Sequence, residues 1–286
     1  MRRLSVFLLS LLLLLTSAAS AEAACAPSGM SVSDLEALKD NGWAMGMDAR
    51  RNTLAIALTA CLGDPDPHVR DELATDALTH MLRSGQLSEP TMLALMRDLT
   101  AKLEAPDPQG FLRPFAALNL SEVVRADRVK PFMTVSQRDG VMMASVSYML
   151  RIQDYRGFDP REGYRHGVAH GADLMMQLAM NPGIDTKGLA QIRAALSVQA
   201  GTSNTSYVTG EGERLARAML MIAKRKVFSE ADWTDWATRL AGPAALKTWD
   251  KWWLSAPALA RRHNLQQFFG SLYITTTAGS DPDLVA

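Results

Sequence analysis

The chain lacks an excess of either charge: thirty basic residues face thirty acidic ones over 286 residues, a formal net charge of +0. With no net field and no dense basic patch, nothing in it is suited to grip a phosphate backbone, and a nucleic-acid partner is not expected. Cysteine is confined to Cys25 and Cys61. Neither has a CxxC partner or a neighbouring histidine, which argues against a zinc knuckle or a thiol catalyst. Also missing are GxxxxGK, GxGxxG, HExxH, GxSxG, SxxK and an EF-hand loop, and with them the common nucleotide, zincin, serine-hydrolase and calcium signatures. Alternating strand-like runs are absent too, which leaves the α-helix as the expected element. What is present, 48% hydrophobic and 21% charged residues, is the balance of an ordinary globular chain and excludes wholesale disorder or collagen.

One long apolar run exists, Leu4 to Leu15, preceded by Arg2 and Arg3 and followed by Ala19-Ser20-Ala21 and Ala21-Glu22-Ala23. A charged start, a short apolar core and small residues describe a secretory signal. Residues 1–23 are therefore expected to be cleaved, leaving 24–286 as a single all-helical domain in the periplasm or outside the cell, with no membrane span. An uncleaved anchor is the alternative. Lipidation at Cys25 is disfavoured by Glu22, which stands where an apolar side chain is wanted. In an oxidising compartment Cys25 and Cys61 either form one structural disulfide that pins the amino-terminal tail or remain as two isolated thiols.

Elsewhere apolar residues recur at helical spacing. Asp66-Pro67 places a capping side chain before a proline at the first helical position, and Val69, Leu73, Ala77, Leu78, Met81 and Leu82 follow as one stripe until Ser84-Gly85. Ser88-Glu89-Pro90 opens the next helix, with Met92, Leu95, Met96, Leu99 and Leu103 on its inner face. Further helices are expected over Arg113–Arg125, Gly140–Ile152, Glu162–Met180, Thr186–Gln199, Glu211–Lys226, Glu230–Leu240, Ala244–Leu254 and His263–Thr275. Short connections between them imply paired antiparallel helices stacked as a HEAT-like α-solenoid or αα-superhelix, and Asp64 to Leu73 resembles the opening of a HEAT-type repeat.

Three segments carry a resemblance to a family. They are Asp154-Tyr155-Arg156-Gly157-Phe158 with Gly163-Tyr164-Arg165-His166-Gly167-Val168-Ala169-His170-Gly171-Ala172-Asp173-Leu174; Gly63-Asp64-Pro65-Asp66-Pro67 leading into Arg70-Asp71-Glu72-Leu73-Ala74; and Gly210-Glu211-Gly212-Glu213-Arg214-Leu215-Ala216. Together they resemble the bacterial family catalogued as domain of unknown function 2785. The resemblance spans Asp40 to Met221 and departs from the family pattern at Tyr164, where tryptophan is usual, and at Pro114, where serine is. It implies a helical fold and no established activity.

The central block has a chemistry of its own. At about 100° per helical residue, His170, Asp173, Gln177 and Glu162 all fall within roughly 40° of His166. That stripe holds histidines, acids and a glutamine where a solvated face would hold lysine and arginine. Gly163, Gly167 and Gly171 form an adjoining stripe, at which a helix or a ligand must approach closely. Two histidines at i and i+4 can reach one divalent, zinc-like ion, with Asp173 as third ligand or as orienter and Glu211 or Glu213 completing the set. The same residues can instead form a buried network with Arg156, Glu213 or Arg214 that fixes how helices meet. Glu211 and Glu213 also suit a helix start on electrostatic grounds alone.

Three functional expectations follow. The first is a module binding a protein or small-molecule partner in a groove beside Glu162–Met180. The second is a metal-dependent hydrolase with His166, His170 and Asp173 at the metal and Glu213 as catalytic base. The third is a purely structural polar block. Outside it, Trp233, Trp236, Trp249, Trp252 and Trp253 gather with Lys251, Arg261, Arg262 and His263, either as a stacking platform for a sugar or peptide or as packing for the terminal helices. The sixteen methionines sit at core spacing and read as gap fillers. His68, His80 and His263 are isolated.

Overall fold

The computed structural model describes residues 25–279, so the signal segment expected over residues 1–23 lies outside the described residues. The described residues are overwhelmingly helical, and the all-α expectation holds. Helices α1 (Val32–Asp40) and α2 (Asp48–Leu58) are followed by a π-helix over His68–Thr75 that runs into α3 (Asp76–Arg83). Then come α4 (Glu89–Lys102), α5 (Leu112–Val129), α6 (Val135–Arg151), a small hairpin of β1 (Phe158–Asp159) and β2 (Gly163–Tyr164), and α7 (Gly167–Met180). The chain closes with α8 (Thr186–Ala200), α9 (Glu211–Ala223), α10 (Glu230–Ala241) and α11 (Ala256–Ala278).

Local chemistry explains where these helices start. Ser31 with Asp34, Thr134 with Gln137 and Ser229 with Asp232 form reciprocal capping boxes, while Ser88, Asp185 and Ser255 each accept one first-turn amide. Asp107 caps α5 from the preceding loop, accepting from the amides of Gly110, Phe111 and Arg113.

Helices α3, α5, α7, α9 and α11 lie side by side in that order, and α2, α4, α6 and α8 make a second such series behind them. Helix α7 is thereby touched by α5, α6, α8 and α9. It buries Val168, Ala172, Leu174, Met175 and Leu178 among them, at about 1.5–3 kcal/mol for each large side chain. The resulting hydrophobic cluster is continuous from Leu35 to Phe268. Gly171 permits the tight approach of α6, since a Cβ there would run into Met149 Sδ. The close neighbour foreseen at that glycine is thus a helix rather than a ligand. No helix among the described residues is long and apolar enough to cross a membrane.

Two expected helices are corrected. The one expected over Glu162–Met180 begins only at Gly167, because residues 158–164 turn back on themselves. Phe158 pairs with Tyr164 and Asp159 with Gly163, while Asp159 Oδ1 accepts the Arg161 and Glu162 amides at 2.8 and 3.1 Å to fix the turn. Gly163 sits at φ +73°, where a Cβ would lie 3.1 Å from Arg70 Nη2. The helix expected over Ala244–Leu254 is two isolated 3-10 turns, Ala244–Leu246 and Trp252–Leu254, broken by left-handed conformations at Ala244, Lys247 and Lys251. Helix α11, by contrast, starts seven residues before the expected His263 because Ser255 caps it and Pro257 occupies its first turn.

Cys25 and Cys61 are joined by a disulfide with a Cα–Cα distance of 5.3 Å across a sequence separation of 36. The Cys25 amide also donates to Asp64 Oδ2 at 3.1 Å, so the bond ties the start of the described chain to the turn before the π-helix. Closing a loop of that length stabilises the fold by about 4 kcal/mol in the chain-entropy account. A Cys25→Ser, Cys61→Ser variant should unfold at a correspondingly lower denaturant concentration, and thiol titration of the unreduced wild type should find no free sulfhydryl.

Candidate functional site

The hairpin, the π-helix, α5, α7 and α9 enclose a cavity of about 510 Å³ lined by His166, His170, Tyr164, Arg214, Glu213 and Asp71, among others. Behind it lies Arg70, bonded to Asp71 of the lining. That guanidinium is fully buried; Nε donates to Asp71 Oδ1 at 2.7 Å, Nη1 to the Asp64 carbonyl at 2.9 Å and Nη2 to the Glu162 carbonyl at 2.8 Å. It lies 4.1 Å from the Phe111 ring centroid and 4.7 Å from that of Phe115. Arg165 covers Phe111 as well, at 4.2 Å. The hairpin is thus clamped to the turn that precedes the π-helix.

His166 is not on α7 but caps it in the left-handed region at φ 58°, a conformation costing a non-glycine residue about 1–2 kcal/mol. Its amide donates to the Arg156 carbonyl at 3.2 Å, its Nε2 to the Thr209 carbonyl at 2.8 Å, and its ring stacks on Tyr164 with centroids 4.8 Å apart. Burial pushes its pKa down, against the pull of Glu211, whose Oε1 is 3.8 Å from Nε2. With Nε2 carrying the proton, Nδ1 is the lone-pair acceptor.

His170 lies one turn into α7, its ring 5.6 Å from that of His166 and edge-on to Phe115 at 5.0 Å. Burial and the neighbouring His166 lower its pKa to about 3, so it is neutral at all ordinary pH. Its Nδ1 is buried and has no hydrogen-bond partner.

The remaining expected residues divide. Asp173 pairs with Arg214, and its carboxyl is raised by burial that Arg214 only partly offsets. Glu211 is buried and accepts both the hydroxyl and, at 3.0 Å, the amide of Thr209. Glu213 pairs with Arg217 on the cavity wall. Arg156 turns its side chain away, to Asp154 and the Gln109 carbonyl, and touches His166 only through its backbone. Glu162 pairs with Arg165 at 2.8 Å and leaves the polar stripe with the lost helical turns. The expected metal set is corrected on the same grounds. Asp173 is occupied by a guanidinium, and among the described residues no three His, Cys, Asp or Glu side chains come together to hold an ion.

Arg70, Asp71 and Thr209 were not foreseen as site residues. A charge inside the apolar stripe Val69–Leu73 was the available signal for Arg70, since such a group is buried only when paired. The tryptophans mostly pack: Trp233 and Trp236 sit edge-on to each other and to Phe228 and Phe268. Trp249 and Trp252 line a separate small recess of about 360 Å³ with Arg262 over the Trp252 ring. His68 lies between Glu36 and Glu72, and His263 donates to the Tyr207 carbonyl at 2.8 Å.

Two outcomes follow from this geometry. Arg70→Ala, which strands Asp71 and the Asp64 and Glu162 carbonyls, should lower unfolding free energy by about 3–5 kcal/mol, and a loss under about 1 kcal/mol in chemical denaturation would contradict the clamp. For His170 the folded pKa lies below the ordinary 6.5, so the unfolded chain binds a proton that the folded chain refuses, and stability falls as pH drops from 6.5 toward 3. His170→Phe should flatten that decline by up to about 1.4 kcal/mol per pH unit between pH 6 and 4. Equal slopes would mean that the folded protein protonates this ring.

No curated protein and no solved structure matches the chain. A family model described as protein of unknown function (DUF2785) matches residues 99–274, which include α5 to α10, both histidines, Asp173 and Arg214. With more than half of its length matched, and with the signature block forming the wall of the cavity, the chain belongs to the DUF2785 family.

Proposed function

We propose that this protein is an exported, single-domain binding module whose small-molecule ligand occupies the cavity at His166 and His170. The observation that carries the reading is the His170 ring on the cavity wall, whose buried Nδ1 has no hydrogen-bond partner inside a protein whose other buried polar side chains are mostly satisfied. A conformationally costly His166 beside it is a second sign of a site kept for use. Export is supported by the amino-terminal segment and is consistent with the Cys25–Cys61 bond. An αα-superhelix is supported by the two parallel series of helices, in each of which a helix packs on the next but one in sequence.

The ion pair of Asp173 with Arg214 favours a second reading, in which the block serves packing alone. The metal-dependent hydrolase has no comparable support, since Asp173 is neutralised and Glu213 is paired. Thermal melts separate the two surviving readings. The binding reading expects at least one mixture among sugars, hydroxy acids, amino acids and inorganic phosphate to raise the melting temperature of wild type. Saturation at 100 times Kd is worth about 2.7 kcal/mol, or several degrees in a chain of this size. Leu118→Trp, which fills the cavity, should abolish the shift, and His170→Phe should stay within about 1 kcal/mol of wild type in the absence of ligand. No shift with any mixture, together with a loss of several kcal/mol in His170→Phe, would establish the packing reading instead.

A further inference from the structure

The end of the helical series carries a second surface, separate from the cavity and independent of how the cavity is read. Helix α11 closes the series by packing on α9, with smaller contacts to α8 and to the turn Trp252–Leu254. Among the described residues no further helix covers its outer side, where Leu259, Tyr273 and Ile274 are 44%, 69% and 63% exposed. Leu259, Gln266 and Tyr273 recur at intervals of seven and, at about 100° per residue, fall within about 40° of one another. In the turn that leads into the helix, Trp253 and Leu254 are 58% and 74% exposed. Large apolar side chains gathered in this way mark a contact with something outside the chain.

Charge decides what that contact is. From Lys251 to Gly279 the sequence holds Lys251, Arg261, Arg262 and His263 but no aspartate or glutamate. Arg261 is buried on the carbonyls of Gly201, Leu240 and Gly242, whereas the others lie nearer the surface. Arg262 sits over the Trp252 ring at 4.2 Å and donates to Gln266 Oε1 at 3.0 Å, and Lys247 and Lys251 are exposed. Among the described residues none of these three cations is paired with a carboxylate, and Asp250 is the one acid between the two lysines. The surface is therefore apolar and locally basic in a protein with no net charge, which complements an anionic partner.

The side-chain types favour lipid over protein as that partner. Lysine is depleted in protein–protein interfaces, whereas tryptophan, leucine and lysine side by side are what a bilayer boundary selects: indoles at headgroup level, aliphatic chains below, ammonium groups on the phosphates. Trp43, Trp236 and Trp249 donate their indole N–H to Asp76, Ser197 and the Ala241 carbonyl. Trp252 and Trp253 make no such bond among the described residues, so theirs are open to headgroup oxygens. We propose that the turn Trp252–Leu254 and the outer side of α11 dock on a lipid bilayer bearing anionic headgroups. Trp253 and Leu254 enter the boundary between headgroups and acyl chains, and Lys247, Lys251 and Arg262 meet the phosphates. Docking of this kind is peripheral and needs no spanning helix.

Co-sedimentation with vesicles tests this on the chain from residue 24 onward, in which the apolar run Leu4–Leu15 cannot contribute. One set of vesicles is phosphatidylcholine alone and the other equal parts of phosphatidylcholine and phosphatidylglycerol. The expected result is binding to the mixed vesicles that exceeds binding to the neutral ones and falls as salt is raised. Trp253→Ser with Leu254→Ser should weaken it more than about tenfold. Lys247→Gln with Lys251→Gln should weaken it about fivefold per lysine on the anionic vesicles and leave the neutral ones unchanged. All four side chains are exposed, so an unaltered circular dichroism spectrum and melting temperature will show that weaker binding is not unfolding. Failure to sediment with either vesicle would overturn the proposal, as would binding that survives both double variants. A concentration-dependent dimer in analytical ultracentrifugation, lost with Trp253→Ser and Leu254→Ser and unaccompanied by vesicle binding, would give the surface to a second copy of the chain and overturn it too.

Discussion

A guanidinium with no access to water organises this end of the molecule. Arg70 spends its fork on Asp71 and on backbone carbonyls from two distant stretches, the turn at Asp64 and the hairpin at Glu162. Lysine could not reproduce that geometry, since a single ammonium cannot address three directions in one plane while lying over Phe111 and Phe115. The desolvation of a cation is large, and here it is offset by charge-assisted bonds and ring quadrupoles together. Desolvation also pulls the Arg70 pKa down, and the ion pair with Asp71 opposes it. The hairpin then fixes Tyr164, Tyr164 stacks on His166, and His166 sets the entry of α7.

From that clamp the electrostatics of the site follow in sequence. Burial lowers the pKa of both imidazoles, and the Thr209 carbonyl fixes the tautomer of His166. Asp71, Asp173 and Glu213 are each paired with a guanidinium, and the buried Glu211 is held by Thr209.

Much of this was legible in the residues, and the failures have definite causes. Helix starts were readable wherever a capping serine or threonine preceded an apolar stripe, as at Ser88, and missed where the cap lay further upstream than the stripe suggested, as at Thr134 and Ser255. The His166, His170 and Asp173 grouping came from helical spacing, whereas His166 caps α7, His170 follows one turn in and Asp173 pairs with Arg214. The spacing argument held only from Gly167 onward. Upstream, tertiary contacts with Arg70 converted a would-be helical turn into a hairpin, and nothing local announces a partner more than ninety residues away. The fate of Asp173 was equally hidden, because its choice of Arg214 over an ion depends on how α7 and α9 meet. Ala244–Leu254 reads as helix by composition, yet Gly242-Pro243 and three left-handed residues divide it.

The clamp also bears on where this fold can be cut. The family match begins at residue 99, within α4, whereas Asp71 and Thr75, which line the cavity, and Arg70, which holds the hairpin, lie before that boundary. A fragment expressed from the matched region would keep both histidines and the hairpin while losing the group that holds the hairpin in place. During synthesis the order is reversed: Arg70 emerges long before the carbonyls of Glu162 and Tyr164 that it will bind. The cavity is closed by a contact of high sequence separation, and any expression boundary has to be drawn from that contact rather than from the extent of sequence similarity.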